Sequence, residues 1–336
     1  LRLARVTAQH RELYMIATEE GECLAEVSGR FRHEAQQPSQ YPAVGDFVLA
    51  DRAGGGNAII HRVLPRKSVF ERTGVGGGRQ AQVVAANIDT VFICMSLNGD
   101  YNLSRLERYL SVAYNSGATP VVVLTKADLC PDLAAALAEI EGAAPGTDVV
   151  ATGAGDTALS EGLLRHLRPG MTASLIGSSG VGKSTLINRL AGEQLLRTSQ
   201  TRADDKGRHT TTHRELLVLP QGAIVIDTPG MRELGVEEVN LSRSFSDIDQ
   251  LAAGCRFRDC THTAEPGCAV LRAVAAGELE PRRLENYRKL KREAKYDGLN
   301  SRQIENEKLD AMFEKVGGMK NARKALRESD KRRRGR

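Results

Sequence analysis

The sequence predicts three joined folds: a small β-barrel, a doubly wound α/β sheet, and a mainly helical C-terminal part organised around cysteines. Three features carry that expectation. Short strand-like runs separated by turn signals fill residues 1–72. From about residue 90, apolar runs alternate with helical segments, the pattern of a buried, mostly parallel sheet. From about residue 241 the strand-like runs stop, and a cysteine-rich stretch at 255–268 leads into charged helical sequence. The expected divisions are therefore residues 1–72, 73–240 and 241–336.

In the first part, Val6-Thr7, Glu12-Leu13-Tyr14-Met15-Ile16 and Cys23-Leu24-Ala25-Glu26-Val27 read as strands. Val44 to Leu49 and Asn57 to Leu64 follow, with turn signals at Glu20-Gly21 and Gly54-Gly55-Gly56. Several short strands in this length make a small barrel, and the spacing fits an OB-fold and an SH3-like barrel alike. Residues 74–82 hold four glycines and read as a flexible linker. Beyond them, strands are expected at Thr90 to Met95, Pro120 to Leu124, Asp148 to Ala151, Ala173 to Ile176, Leu216 to Leu219 and Ala223 to Ile226. Helices are expected at Leu103 to Asn115 and Leu133 to Glu141. The last part reads as helical from Pro281, with a break at Gly317-Gly318.

A chain of 336 residues with a hydrophobic share of 41% can bury more than one core. No run approaches the ~20 apolar residues of a membrane span, and the first residues show no signal-peptide pattern, so no membrane partner is expected. Cys23, Cys94 and Cys130 are scattered and suggest no extracellular disulfide framework, which makes the cytoplasm the expected compartment. Residues 321–336 hold eight Lys/Arg against Glu328 and Asp330, more positive charge than the net +5 of the whole chain. Such a tail attracts polyanions by counterion release, which points to nucleic acid.

The segment Gly177-Ser178-Ser179-Gly180-Val181-Gly182-Lys183-Ser184 fits the P-loop pattern, and Thr185 continues it into a helix. The preceding Ala173 to Ile176 supplies the required strand. Glycines let backbone N–H groups close around phosphate oxygens, and the helix N-terminus adds positive potential. Lys183 is expected at the β- and γ-phosphates and Ser184 on magnesium. Asp227-Thr228-Pro229-Gly230 follows a strand, placing Asp227 to hold magnesium through water and the Gly230 N–H to sense the γ-phosphate. Thr125-Lys126-Ala127-Asp128 also follows a strand and reads as a guanine-recognition motif: a carboxylate at Asp128 accepts two hydrogen bonds from guanine, and adenine would leave it unpaired. This motif lies upstream of the P-loop, the reverse of the usual GTPase order, so the α/β part reads as a circularly permuted P-loop GTPase domain.

Gly207-Arg208-His209-Thr210-Thr211-Thr212 lies between P-loop and Asp227, and Thr211 is the expected additional magnesium ligand. The residue after Gly230 is Met231, where many GTPases carry a Gln that orients water. Met cannot do this, so either another group positions water, with His209 the candidate, or intrinsic turnover is low. Cys255, Cys260, His262 and Cys268 give the spacing Cys-x4-Cys-x-His-x5-Cys. Three thiolates and one imidazole suit tetrahedral zinc with no open position, hence a structural site.

On these residues the chain closely resembles the ribosome small subunit-dependent GTPase A family (RsgA, also called YjeQ or YloQ). The resemblance rests on the upstream Thr125 to Asp128, the P-loop, Gly207 to Thr212, Asp227 to Gly230 and the Cys/His cluster. It implies an N-terminal OB-fold, a permuted GTPase domain and a C-terminal zinc domain. It further implies a monomeric cytoplasmic enzyme that hydrolyses GTP to GDP, is stimulated by the small ribosomal subunit, contacts its rRNA and acts late in its maturation. By similarity, His209 lies in a switch that contributes to hydrolysis. One departure is the base loop, where GTPases often carry Ser-Ala and this chain reads Val150-Ala151-Thr152-Gly153. Two other readings follow from the residues: an RNA-assembly factor that senses GTP and GDP with incidental hydrolysis, which Met231 favours, and an ATP-dependent P-loop protein, which Asp128 opposes.

Overall fold

The computed structural model describes residues 1–10, 12–52, 56–73, 81–98, 101–153, 159–196, 215–227 and 244–295. Five strands close on themselves at the N-terminus: β1 (Arg2–His10), β2 (Leu13–Thr18), β3 (Gly21–Val27), β4 (Phe47–Asp51) and β5 (Ala58–Val63). Their order is β1-β2-β3-β5-β4, with β4 pairing back to β1 and β3 running parallel to β5. This partly Greek-key order resolves the barrel as OB-like. Alternating residues turn inward, so Val6, Ile16, Ala25, Val48 and Ile60 have essentially no exposure. A short helix, α1 (Gly29–Glu34), leads from β3 towards β4, its first turn capped by the Ser28 hydroxyl accepting from the Phe31 N–H.

The glycine-rich run does not separate two domains. β6 (Val69–Thr73) and β7 (Ala81–Ala86) pair antiparallel on either side of it, so residues 74–80 join the strands of a hairpin. A run of glycines reads the same whether it links domains or turns a ribbon; only the strand pairing distinguishes them.

The central sheet holds β8 (Thr90–Ser96), β9 (Thr119–Thr125), β10 (Asp148–Ala151), β11 (Thr172–Ile176), β12 (Glu215–Val218) and β13 (Ile224–Asp227). Its order is β10-β9-β8-β11-β13-β12, parallel except for β12. The chain moves outward from β8 to β10, crosses back to β11 beside β8, and then builds the other half. The strand order therefore reverses between β8 and β11, where open α/β sheets bind ligands beyond their carboxyl ends. Both faces are covered, and neighbouring residues pack oppositely: Val91, Ile93, Val122 and Leu124 enter one core, with α2 (Leu103–Ser116) and α3 (Leu133–Ala143) above it. Phe92, Cys94, Val121 and Val123 enter the other, with α4 (Leu159–Leu164) and α5 (Lys183–Ala191).

Barrel and central sheet are continuous, because β1 meets β12 at Ala8 and Glu215. Arg5 reinforces the joint by donating to the Thr172 hydroxyl at 2.8 Å, while the Asp89 carboxylate accepts from the Thr172 N–H at 2.9 Å. At the same joint Gly45 has φ +93°, and a Cβ there would lie 2.1 Å from the Ala86 carbonyl oxygen.

The C-terminal part contains α6 (Ser246–Ala252), α7 (Ala269–Ala276) and α8 (Pro281–Lys295) around a small core of Phe245, Ile248, Val270, Leu284, Tyr287 and Leu290. It is fastened to α2 through charge. Arg283 donates to both oxygens of Asp247, at 2.7 and 2.8 Å, and to Glu107 of α2 at 2.9 Å. Asn286 also donates to Glu107, Ser111 to Ser244 at 2.9 Å, and Arg108 pairs with Glu293 at 2.7 Å. Among the described residues no helix is long and apolar enough to cross a membrane.

Candidate nucleotide site and metal centre

The P-loop begins where β11 ends, at the strand-order reversal. Gly177, Gly180 and Gly182 have φ of +145°, +78° and +102°, conformations that side chains oppose. Gly177 is needed for a second reason: a Cβ would lie 2.2 Å from the Cys94 carbonyl oxygen of β8. The loop runs into α5, whose N-cap is Gly182 and whose first residues are Lys183, Ser184 and Thr185. Helix-start N–H groups and the dipole thus point to where phosphate would lie. The Lys183 ammonium donates to the Gly177 and Ser178 carbonyls, both at 2.7 Å, which keeps it within the loop. Cys94 lies buried beneath; burial pushes its thiol up to about 12 against the pull of Lys183, so it is an inert floor.

Asp227 ends β13. Pairing of Ser174 with Ile226 sets it one strand from the P-loop strand, level with Leu175. Ser184 and Asp227 are hard oxygen donors flanking one loop, the donor type magnesium takes.

Thr125 ends β9, and its hydroxyl donates to the Val181 carbonyl of the P-loop at 2.5 Å. This bond ties the base motif to the phosphate motif across 56 residues. Lys126 is left-handed at φ +56°, turning the chain into a 3-10 turn, Ala127–Leu129, that carries Asp128. The base loop lies against it: the Ala127 N–H donates to the Thr152 carbonyl at 2.9 Å. A Cβ on Gly153 would lie 3.0 Å from Asp128 Oδ1. The departure from Ser-Ala thus has a steric reason, since glycine leaves room beside the carboxylate. Arg189 of α5 donates to the Gly153 carbonyl at 3.0 Å, joining the helix after the P-loop to the base loop.

The structure therefore gathers Thr125, Lys126, Asp128, Gly177 to Thr185 and Asp227 at one carboxyl edge. His209, Thr211 and Gly230 lie outside the described residues. Sequence reasoning missed Cys94 and Arg189, which touch the site only through backbone carbonyls and leave no motif.

Cys255, Cys260, His262 and Cys268 form a second centre, with all ligand atoms within 4.8 Å of one another. Cys255 and Cys268 sulfurs are 3.8 Å apart, and His262 Nδ1 is 3.6 Å and 3.4 Å from them. A tetrahedron with bonds of about 2.3 Å to sulfur and about 2.0 Å to nitrogen has edges of about 3.8 Å and about 3.5 Å. The donor set and spacing fit zinc. Cys268 is the N-cap of α7 and accepts from the Leu271 N–H at 3.4 Å. Burial opposes ionisation of Cys255, but N–H groups of Val270 and Ala269 outweigh it and hold the thiol below its usual range. Glu265 braces the turn through His262, accepting from the N–H groups of Thr261, Thr263 and Ala264 at 2.7, 2.8 and 3.0 Å.

The RsgA GTPase family model matches residues 63–237. An ABC transporter model matches residues 161–331; the P-loop lies inside both ranges. The small ribosomal subunit biogenesis GTPase RsgA 2 of Lactiplantibacillus plantarum is 50% identical over 97% of this chain and 92% of its own. The small ribosomal subunit biogenesis GTPase RsgA of Opitutus terrae is 48% identical over 87% of this chain and 83% of its own. Among solved structures, YjeQ from Thermotoga maritima matches with a TM-score of 0.65 at 28% identity, covering 87% of this chain and 98% of that one. YloQ, described as a circularly permuted GTPase, matches in fold with a TM-score of 0.62 at 24% identity, covering 89% and 96%. The permuted strand order seen here is thus shared with solved relatives, and a relative half identical along nearly the whole length settles the kinship: the chain belongs to the RsgA GTPase family.

Proposed function

We propose that this protein hydrolyses GTP to GDP and phosphate, and that docking on the small ribosomal subunit stimulates the reaction during late maturation of that subunit. One observation carries the reading. The hydroxyl of Thr125 bonds the P-loop at Val181, so guanine and phosphate recognition occupy one site at the β8/β11 reversal. The curated relatives, named as small ribosomal subunit biogenesis GTPases, support the partner.

In this reading Asp128 accepts from the guanine edge, with Thr125 and Lys126 shaping the turn that presents it. Residues Gly177 to Thr185 cradle the phosphates, with Lys183 on the β- and γ-oxygens. Ser184, Asp227 and Thr211 would hold magnesium, which neutralises charge developing on the phosphates. Gly230 senses the γ-phosphate, and His209 orients the attacking water that Met231 cannot. Cys255, Cys260, His262 and Cys268 would hold zinc as a structural ion, supplying folding energy to a segment with a small core. The division is residues 1–72, 73–240 and 241–336: an OB-like domain, the GTPase domain and a zinc domain whose basic tail contacts rRNA in the cytoplasm.

The test is GTP turnover by the purified protein, alone and with isolated small subunits, with ATP as control. Large, GTP-specific stimulation is expected. Tight GTP-dependent subunit binding without stimulation would instead make the protein a nucleotide sensor and remove the role of His209.

A further inference from the structure

The helix α8 carries two arginines that face the interior of the C-terminal part, and their situations are opposite. Arg283 places all its N–H groups on acceptors: Asp247, Glu107 and the carbonyls of Ser244 and Ala143. Arg288 does not. Its Nε and Nη2 are sealed from solvent and have no hydrogen-bond partner among the described residues. A guanidinium cannot shed its charge, and an enclosed cation without a counter-charge is costly. Something anionic belongs beside it.

The surroundings identify that anion. Leu284, Tyr287, Arg288 and Lys291 fall at helical spacing on one face of α8. Leu284 and Tyr287 pack in the same core as Cys268, with Cys255 and Cys260 against it. The Tyr287 ring lies 6.4 Å from the His262 ring, and the positive charges of Arg288 and Lys291 both act on His262. Lys291 is otherwise engaged, sitting 5.3 Å over the Tyr287 ring and donating to its hydroxyl at 3.4 Å. Arg288 is left as the cation with nothing to bond. A divalent ion held by three thiolates and a neutral imidazole carries a net negative charge, and its sulfurs accept hydrogen bonds.

We propose that Arg288 is a positioning residue for the metal centre: its buried guanidinium offsets the charge of the metal-bound thiolates of Cys255, Cys260 and Cys268 and holds them in place. This goes beyond the four ligands and rests on the zinc reading above. Groups behind the ligands typically alter metal affinity by about tenfold to a hundredfold.

The test uses full-length, zinc-loaded protein and its Arg288→Met and Arg288→Lys variants. Zinc content of the wild-type protein is measured first; absence of stoichiometric zinc would refute the zinc site itself, separately from the role of Arg288. Zinc release to a chromogenic chelator is then followed. Arg288→Met is expected to release zinc about tenfold to a hundredfold faster, with Arg288→Lys in between because it keeps the charge. In cobalt-substituted protein, the thiolate-to-metal charge-transfer band is expected to shift in Arg288→Met. The metal-free proteins give the contrasting sign: without the anion the buried cation is a burden, so Arg288→Met is expected to melt no lower than wild type. Equal release rates and an unshifted cobalt band would overturn the proposal and leave an acidic side chain outside the described residues as the partner of Arg288. Equal destabilisation of metal-free and metal-loaded protein would reduce Arg288 to a packing role and overturn it as well. If Arg288→Met does not fold, Arg288→Lys decides, since a release rate equal to wild type together with an unshifted band would have the same meaning.

Discussion

Replacing Arg283 by Met removes the centre of the contact between α8 and α2. The Arg283 side chain is 5% exposed and Glu107 is 0% exposed, so neither gains water when the other is lost. With Arg283 gone, Glu107 keeps Asn286 and the more distant Arg282 at 3.5 Å, and the Ser244 and Ala143 carbonyls lose their donor. Breaking a buried pair from one side costs about 3–5 kcal/mol. Glu107→Gln should cost less, about 1–3 kcal/mol, because Arg283 retains its two-pronged bond to Asp247 and a neutral amide suits the site. Burial already lifts the Glu107 carboxyl above its usual range despite Arg282 and Arg283. The double variant Arg283→Met, Glu107→Met should recover about 1–3 kcal/mol relative to Arg283→Met alone, since the orphaned charge disappears. Urea unfolding by circular dichroism reads the midpoints, and limited proteolysis reads detachment of the C-terminal part. At a slope of about 1–3 kcal/mol per molar urea, the Arg283→Met midpoint should fall by a molar unit or more. A double variant as unstable as the sum of its singles would refute the argument, because the cost would then lie in lost packing and not in a stranded carboxylate.

Three further outcomes are expected. Asp128→Asn should weaken GTP binding about a hundredfold or more, since two charge-assisted bonds to guanine are lost, and should favour xanthosine triphosphate, whose C2 oxygen accepts from an amide; displacement of a fluorescent nucleotide reads both. Gly177→Ala should abolish nucleotide binding and cost about 1–3 kcal/mol of stability through strain, because its Cβ meets the Cys94 backbone at 2.2 Å; a variant binding GTP normally would contradict the close approach. Asp247 is drawn below its usual range by Arg283 even though burial opposes this. Its stabilisation is complete above the ordinary carboxylate pKa of about 4 and is lost as pH falls through the lower folded value. Glu107, raised by burial, has the opposite sign and returns stability on acidification. Asp247→Asn should therefore flatten the loss of thermal stability between neutral and strongly acid pH, measured by calorimetry.

How much was readable from the chain alone follows from how local each feature is. The P-loop was readable because close phosphate wrapping demands glycines at fixed offsets and a lysine at a helix start, all within eight residues. The six strands of the central sheet were readable because a strand buried on both faces must be apolar throughout, as Thr90–Ser96 is. The Cys/His spacing was readable because zinc ligands must converge within a few ångströms, and short chain separations achieve this most directly. The order of the motifs also disclosed the permutation.

What needed the tertiary structure was pairing between segments distant in the chain. Only strand closure distinguished an OB-like barrel from its SH3-like rival, and only the β6–β7 pairing turned the expected linker into a hairpin. Thr125 reaching Val181, Arg283 reaching Glu107 and Gly153 making room for Asp128 carry no sequence signature. Each is a contact between a side chain or a missing side chain and a distant group, and such geometry exists only after the chain has closed on itself. The amino-acid order by itself determined the chemistry available to this protein; the fold decided which of those groups share one site, because burial and hydrogen-bond satisfaction act on neighbours in space and not on neighbours in the chain.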